Sequence, residues 1–211
     1  MRTVTRRSVV ATAVLGLAGC LIDDGNGGYG VGGNGDGNGT VDGDGTDTGP
    51  ANPALASAEG TGSLAVRSAA FEDGGDIPRK YGRDAENVNP PLEIDGTPDD
   101  AGTLAIVVDD PDAVAVVGEV FVHWLVWNVP SDTTAIPEEW GASAAVEGEN
   151  DFGTVGYGGP APPDEPHSYR FKCFAVDGTL DLAAGAAVGD LGPALSGNVL
   201  ARAQLSGTYA P

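Results

Sequence analysis

Lysine is almost missing from this sequence. Only Lys80 and Lys172 occur in 211 residues, within a total of ten bases against 31 acids. Gripping a phosphodiester backbone takes clustered Lys and Arg, so a formal charge of −21 excludes nucleic acid as a natural partner. Cysteine is equally scarce, and Cys20 and Cys173 cannot build a disulfide framework. No apolar run reaches the ~18–20 residues that a membrane-spanning helix needs, which excludes a polytopic membrane protein. A nucleophile motif of the Gly-x-Ser-x-Gly type is also missing. Histidine occurs only at 123 and 167. Glycine is what abounds: 34 residues, more than twice the usual ~7%.

The N-terminus reads as an address. Residues 1–20 carry three arginines and no acid, then a short apolar stretch closed by Leu17-Ala18-Gly19-Cys20. That stretch is too short to span a bilayer and fits the apolar region of a signal peptide. Arg6-Arg7 after Thr5 resembles a twin-arginine export signal. Leu-Ala-Gly-Cys resembles a lipobox, after which Cys20 becomes the lipidated N-terminus. A general secretory signal with an incidental cysteine is the plainer alternative. Cleavage before Cys20 removes three bases and takes the formal charge from −21 to −24. The expectation is a signal over 1–19, export, and anchoring to the outer face of the cell membrane. With Cys20 lipidated, Cys173 is the sole thiol and no intrachain disulfide is possible.

Next comes a spacer, expected over 20–62. Residues 23–49 hold 12 Gly and six Asp, no Lys or Arg, and few apolar side chains. Such a segment cannot bury enough surface to offset its ordering entropy. Calcium-binding glycine repeats are the other reading, but the period is irregular and no large apolar residue recurs.

The remaining 63–211 read as one folded domain. Residues 63–70, 103–108, 119–129 and 169–176 are β-prone runs, bounded by Gly, Pro and Asp. Residues 188–195 are the best helix candidate, although Gly192 and Pro193 punctuate them. Residues 199–205 fit either a further helical turn or a last strand. Many short strands with polar turns predict an all-β sandwich or barrel with minor helix.

Chemistry concentrates in three places. Alternation along Phe121-Val122-His123-Trp124-Leu125-Val126-Trp127 puts His123, Leu125 and Trp127 on one face. The same rule groups His167, Tyr169, Phe171 and Cys173. A titratable group on an apolar face needs a partner, and a backbone-bonded core histidine is the plain reading of either one alone. Asp109-Asp110-Pro111-Asp112 closes a buried run, and its carboxylates need solvent, donors or a cation. Gly158-Gly159-Pro160-Ala161-Pro162-Pro163 is a stiff loop leading towards His167. Cys173, inside an apolar strand, reads as a small apolar residue with no chemical role.

Taken in order, several segments resemble the phosphatidylethanolamine-binding protein family, in its bacterial and archaeal Raf-kinase-inhibitor-like branch. They are Ala70-Phe71-Glu72-Asp73-Gly74-Gly75-Asp76-Ile77-Pro78, Glu86-Asn87-Val88-Asn89-Pro90-Pro91-Leu92, Asp110-Pro111-Asp112-Ala113, His123-Trp124-Leu125-Val126-Trp127-Asn128-Val129-Pro130, Gly156-Tyr157-Gly158-Gly159-Pro160, Pro162-Pro163, His167-Ser168-Tyr169-Arg170-Phe171 and Gly207-Thr208-Tyr209. The likeness spans roughly 64–210. It implies an antiparallel β-sandwich with a small anion pocket lined by Asp110, Asp112, His123, Pro162, His167 and Tyr169. The implied ligand is a small anion or a phosphorylated head group, with no cofactor. The imidazoles and the phenol are its expected donors, and Asp110 the group that holds a histidine tautomer. Inhibition or regulation of a partner protein, and homodimer formation, are further implications.

Four features depart from the family pattern. Val114 replaces a proline, the glycine of the histidine motif is lost because Glu165-Pro166 precedes His167, Ser168 stands where arginine is common, and Ala161 where relatives often carry cysteine. Glu165 would weaken anion affinity if it pointed inwards. The competing expectation is a hydrolase or metal-binding enzyme using His123, His167 and Asp110. Low lysine and high aspartate, together with the export signal, fit a halophilic archaeon whose hydrated acidic surface keeps proteins soluble in salt.

Overall fold

The computed structural model describes residues 49–211. The expected signal peptide, the lipidated Cys20 and the spacer up to residue 48 lie outside the described residues.

The chain forms β1 (Ala65–Arg67), β2 (Gly75–Asp76), β3 (Leu92–Asp95), β4 (Thr103–Asp110), α1 (Val114–Val117), β5 (Phe121–Pro130), β6 (Ala135–Ile136), β7 (Val146–Glu147), β8 (His167–Val176), α2 (Val188–Leu195) and β9 (Val199–Tyr209). Two sheets result. The smaller has the order β1-β3-β6, the larger β2-β9-β8-β4-β5-β7. All pairings are antiparallel except the short β2–β9 contact, which is parallel. The expected sandwich is present, and residues 199–205 belong to its strand β9.

Strand β4 shows why the order looks as it does. All eight of its residues are buried. It lies between β5 and β8, and both faces of the sheet are covered there. One face meets the small sheet in a core of Val66, Leu92, Ile94, Ile106, Trp124, Val126 and Phe171. The other meets α2 in a second core with Leu55, Val107, Leu125, Trp127, Leu191 and Leu195. A strand buried on both faces has no reason to alternate, so its sequence runs apolar without a break from Leu104 to Val108. Strand β3, at the surface, alternates instead: Leu92 and Ile94 point inwards, Glu93 and Asp95 outwards.

Residues 52–62 depart from the expected spacer. A 3-10 turn at Pro53–Leu55 is capped by Asn52 Oδ1, which accepts from Ala54 N at 3.0 Å. Leu55 and Ala58 bury in the second core, and Gly62 N donates to Leu200 O at 2.8 Å. These apolar side chains join α2 in the second core. Gly192 of α2 rests against the Ala54 carbonyl so closely that a Cβ there would overlap it.

Strand β5 corrects the alternation expected around His123. Val108 pairs with Trp124 but Asp109 with Val122, so His123 is the extra residue of a β-bulge. A bulge inserts one residue and flips the facing of the residues beyond it. Leu125 and Trp127 therefore face the α2 side, while His123 turns to Tyr169 on the opposite core. A second irregularity, between Leu104 and Ile106, lies opposite Asn128. Asn128 adopts φ 56, and its side chain accepts from Leu180 N at 2.8 Å and donates to Leu180 O at 2.9 Å. On β8 the expected face holds: Tyr169, Phe171 and Cys173 share the inter-sheet core.

Candidate functional site

The bulge and the ends of β4 and β8 bring most of the expected residues together. Asp110, the last residue of β4, is buried and fully used. Its Oδ1 accepts from the backbone N–H groups of Asp112 (2.9 Å) and Ala113 (3.1 Å). Its Oδ2 accepts from His167 Nδ1 at 2.7 Å. His167, the first residue of β8, is buried as well. Burial alone opposes its charge, but the hydrogen bond and charge of Asp110, joined by Asp164 and Asp112, outweigh it and raise the imidazole above its ordinary pKa. His167 is therefore an imidazolium over a wider pH range than a free histidine.

His123 has the opposite character. Its Nδ1 donates to Gly158 O at 2.8 Å, with Gly159 O at 3.1 Å. Desolvation dominates here and lowers its pKa, despite those carbonyls and the Asp110 charge. A neutral ring with its proton on Nδ1 leaves Nε2 as an acceptor. The loop that fixes this tautomer is itself fixed. Gly158 N donates to His123 O at 2.9 Å, and Gly159 N to Asn87 Oδ1 at 2.8 Å. Asn87 sits at φ 56, a left-handed conformation that asparagine tolerates well. Gly159 is packed so flush against residues 81–83 that a Cβ would strike the Tyr81 carbonyl.

Tyr169 completes the group. Its ring meets His123 edge-on, centroids 5.1 Å apart. The side chain is 0% exposed and its hydroxyl has no hydrogen-bond partner. The Asp110 carboxylate and the Ala161 backbone lie near it without closing a bond. Burial first, and the Asp110 charge second, push the phenol well above its usual pKa, so it stays a donor. A buried orphan hydroxyl costs roughly 1–3 kcal/mol and is a point at which a ligand gains.

The other two expected residues play supporting parts. Asp112 is exposed, and its Oδ2 accepts from Ser168 N at 2.7 Å, tying the turn before α1 to β8. Pro162 is buried in the loop before β8 and offers shape rather than a polar group. Sequence reasoning missed an aromatic wall. Phe121 and Phe152 lie 5.1 Å and 5.3 Å from the His123 ring. The guanidinium of Arg83 stacks on Phe152 at 3.7 Å, a cation–π contact that adds a positive charge to this wall. It also missed Asp164, whose Oδ1 lies 3.2 Å from His167 Nε2. Asn87 lay inside a quoted segment without a role. Its position before a Gly-Gly loop in space, not in sequence, is what gives it one.

Among the described residues, no three His, Cys, Asp or Glu side chains converge as a metal set. Cys173 is buried, and desolvation pushes its thiol up to about 12, so it is no thiolate at neutral pH.

Comparison with known proteins agrees with this architecture. Residues 67–210 match the family model described as phosphatidylethanolamine-binding protein. A UPF0098 protein of Methanothermobacter thermautotrophicus is 42% identical over 149 residues, covering 68% of this chain and 97% of that protein. A UPF0098 protein of Pyrococcus horikoshii is 40% identical over 151 residues, 67% of this chain and 74% of its own. Among solved structures, a phosphatidylethanolamine-binding protein homologue from Chlamydia trachomatis superposes with a TM-score of 0.66 at 34% identity, over 72% of this chain and 99% of that one. An Escherichia coli structure described as a member of the mammalian family gives 0.65 at 29% identity, over 70% and 98%. The family match covers most of the chain and all of the site just described: the chain belongs to the phosphatidylethanolamine-binding protein family.

Proposed function

We propose that the protein is an exported, lipid-anchored binding protein that holds a small oxyanion or phosphoryl group between Tyr169, His167 and His123. The observation that carries this reading is the Tyr169 hydroxyl, buried and unpartnered beside the His167–Asp110 pair. An oxyanion is the ligand that this donor lacks. The His167 imidazolium adds charge, and Arg83 on Phe152 adds a second cation to the aromatic wall. His123 with a free Nε2 accepts from a protonated oxygen or an ammonium group, which suits a phosphoryl monoester or a zwitterionic head group. The acidic net charge does not oppose this, because local donors outweigh distant screened charges. Export and anchoring rest on the arginine-bearing N-terminus and the Leu-Ala-Gly-Cys segment. Inhibition or regulation of a partner protein is the further role that this reading carries.

The test is native purification followed by mass spectrometry of retained small molecules, for wild type and Tyr169→Phe in parallel. A phosphoryl-bearing molecule retained by wild type and depleted in the variant supports the reading. Equal retention by both places any ligand elsewhere and overturns it. The identity of the retained molecule separates a lipid head group from free phosphate.

A further inference from the structure

Both nitrogens of His167 are already held by carboxylates. Nδ1 faces Asp110 Oδ2 inside the protein, while Asp110 Oδ1 is held by two backbone N–H groups of the turn before α1. Nε2 faces Asp164 Oδ1 at 3.2 Å. The two carboxylates differ in setting: the Asp110 side chain is 5% exposed, that of Asp164 57%. Asp164 has one further contact, Glu165 N donating to the same Oδ1 at 2.9 Å. Asp110 is therefore built into the fold, whereas Asp164 lies over the site from an exposed loop. Prolines at 162, 163 and 166 restrict the backbone around it, so Asp164 can leave by rotating its side chain alone.

We propose that Asp164 is an internal competitor: its carboxylate occupies the position on His167 Nε2 that a ligand oxyanion takes, and ligand entry exchanges one for the other. This rests on the oxyanion reading of the pocket and specifies how the pocket is gated. At 3.2 Å the Asp164 carboxylate offers one long charge-assisted contact and little else here. A phosphoryl group that reaches both His167 Nε2 and the orphan Tyr169 hydroxyl displaces it, while a ligand that satisfies only one does not. The device raises selectivity by lowering affinity for simple anions. It also keeps the buried imidazolium paired on both sides when the pocket is empty, which avoids the cost of a lone buried charge.

The experiment is calorimetric titration of inorganic phosphate into wild type, Asp164→Ala and Glu165→Ala, at one pH and high salt. The Glu165 variant removes the same charge one residue away, from a side chain that makes no contact with His167. Asp164→Ala is expected to bind phosphate about tenfold more tightly, the worth of one charge-assisted hydrogen bond discounted for exposure. Glu165→Ala is expected within about twofold of wild type by the same measure. Equal tightening in both variants makes the effect general electrostatics and overturns the competition. Unchanged or weaker binding in Asp164→Ala, with wild type still binding, overturns the competition alone. Absence of heat in every form, with no movement of the histidine NMR signals, overturns the oxyanion pocket and the competition with it.

Discussion

The Tyr169 hydroxyl is buried without a partner, so its removal separates stability from binding. Tyr169→Phe keeps the ring against His123 and deletes only the orphan. Unliganded stability should stay level or rise by up to about 1 kcal/mol, since an unsatisfied buried hydroxyl is a cost. Phosphate affinity should fall about tenfold, as expected for one hydrogen bond to a charged group. Urea midpoints and calorimetry check the two halves. His167 and His123 make opposite pH statements. His167 has a raised folded pKa, so its ionic stabilisation is complete below the unfolded value of about 6.5 and is lost as pH rises through the higher folded pKa. His123 has a lowered one, so it costs nothing above about 6.5 and opposes folding as pH falls below it. The difference in urea stability between wild type and Asp110→Asn isolates the first. That gap should be widest near pH 5–6 and should narrow towards pH 9. A gap that does not change with pH would contradict the ion pair. Of these residues, the sequence by itself marked the two histidines and the Asp109–Asp112 cluster, and the family resemblance added Tyr169 and the assignment of roles. It did not show that both nitrogens of His167 are taken, because Asp164 sits in a Pro-rich loop where no periodicity says which side chain turns inwards.

At the scale of elements, strong local patterns were legible and two-residue adjustments were not. The run over 169–176 and the helix over 188–195 read correctly from composition, since each buries a continuous apolar face. The bulge at His123 left no trace in Phe-Val-His-Trp-Leu-Val-Trp, whose alternation is regular either way. It is visible only in the pairing with β4, which is a property of two distant segments. The turn at 53–55 carried a readable signal that was overshadowed by the glycine-rich stretch before it. Asn52 before Pro53 is an N-cap followed by a proline in the first turn. Leu55→Ala tests whether this segment belongs to the folded unit. The side chain is 7% exposed, against α2, so the variant should lose about 2–3 kcal/mol by urea denaturation. A loss under about 0.5 kcal/mol is what a surface position gives, and would return the segment to the spacer.

At the scale of the molecule, the excess of 21 negative charges predicts a dependence on salt. Mutual repulsion of so many carboxylates weakens the compact state at low ionic strength, and salt screens it. The unfolding temperature should therefore climb steeply between about 0.1 M and 1 M salt, where the screening length shrinks from about 10 Å to 3 Å. A salt-independent unfolding temperature would argue against a surface adapted to brine. The same screening leaves the His167–Asp110 pair intact, because it acts at 2.7 Å and out of solvent, with Tyr169 buried beside it. That contrast is central to the proposal: a strongly acidic protein read as binding an anion. The most direct measurement is a nitrogen-detected NMR titration of the two imidazole side chains with inorganic phosphate in high salt. Saturable shifts of both His123 and His167 at millimolar phosphate, weakened about tenfold in Tyr169→Phe, are the predicted result. Signals of both histidines that stay fixed into the tens of millimolar (roughly the upper limit of weak specific binding) would contradict it.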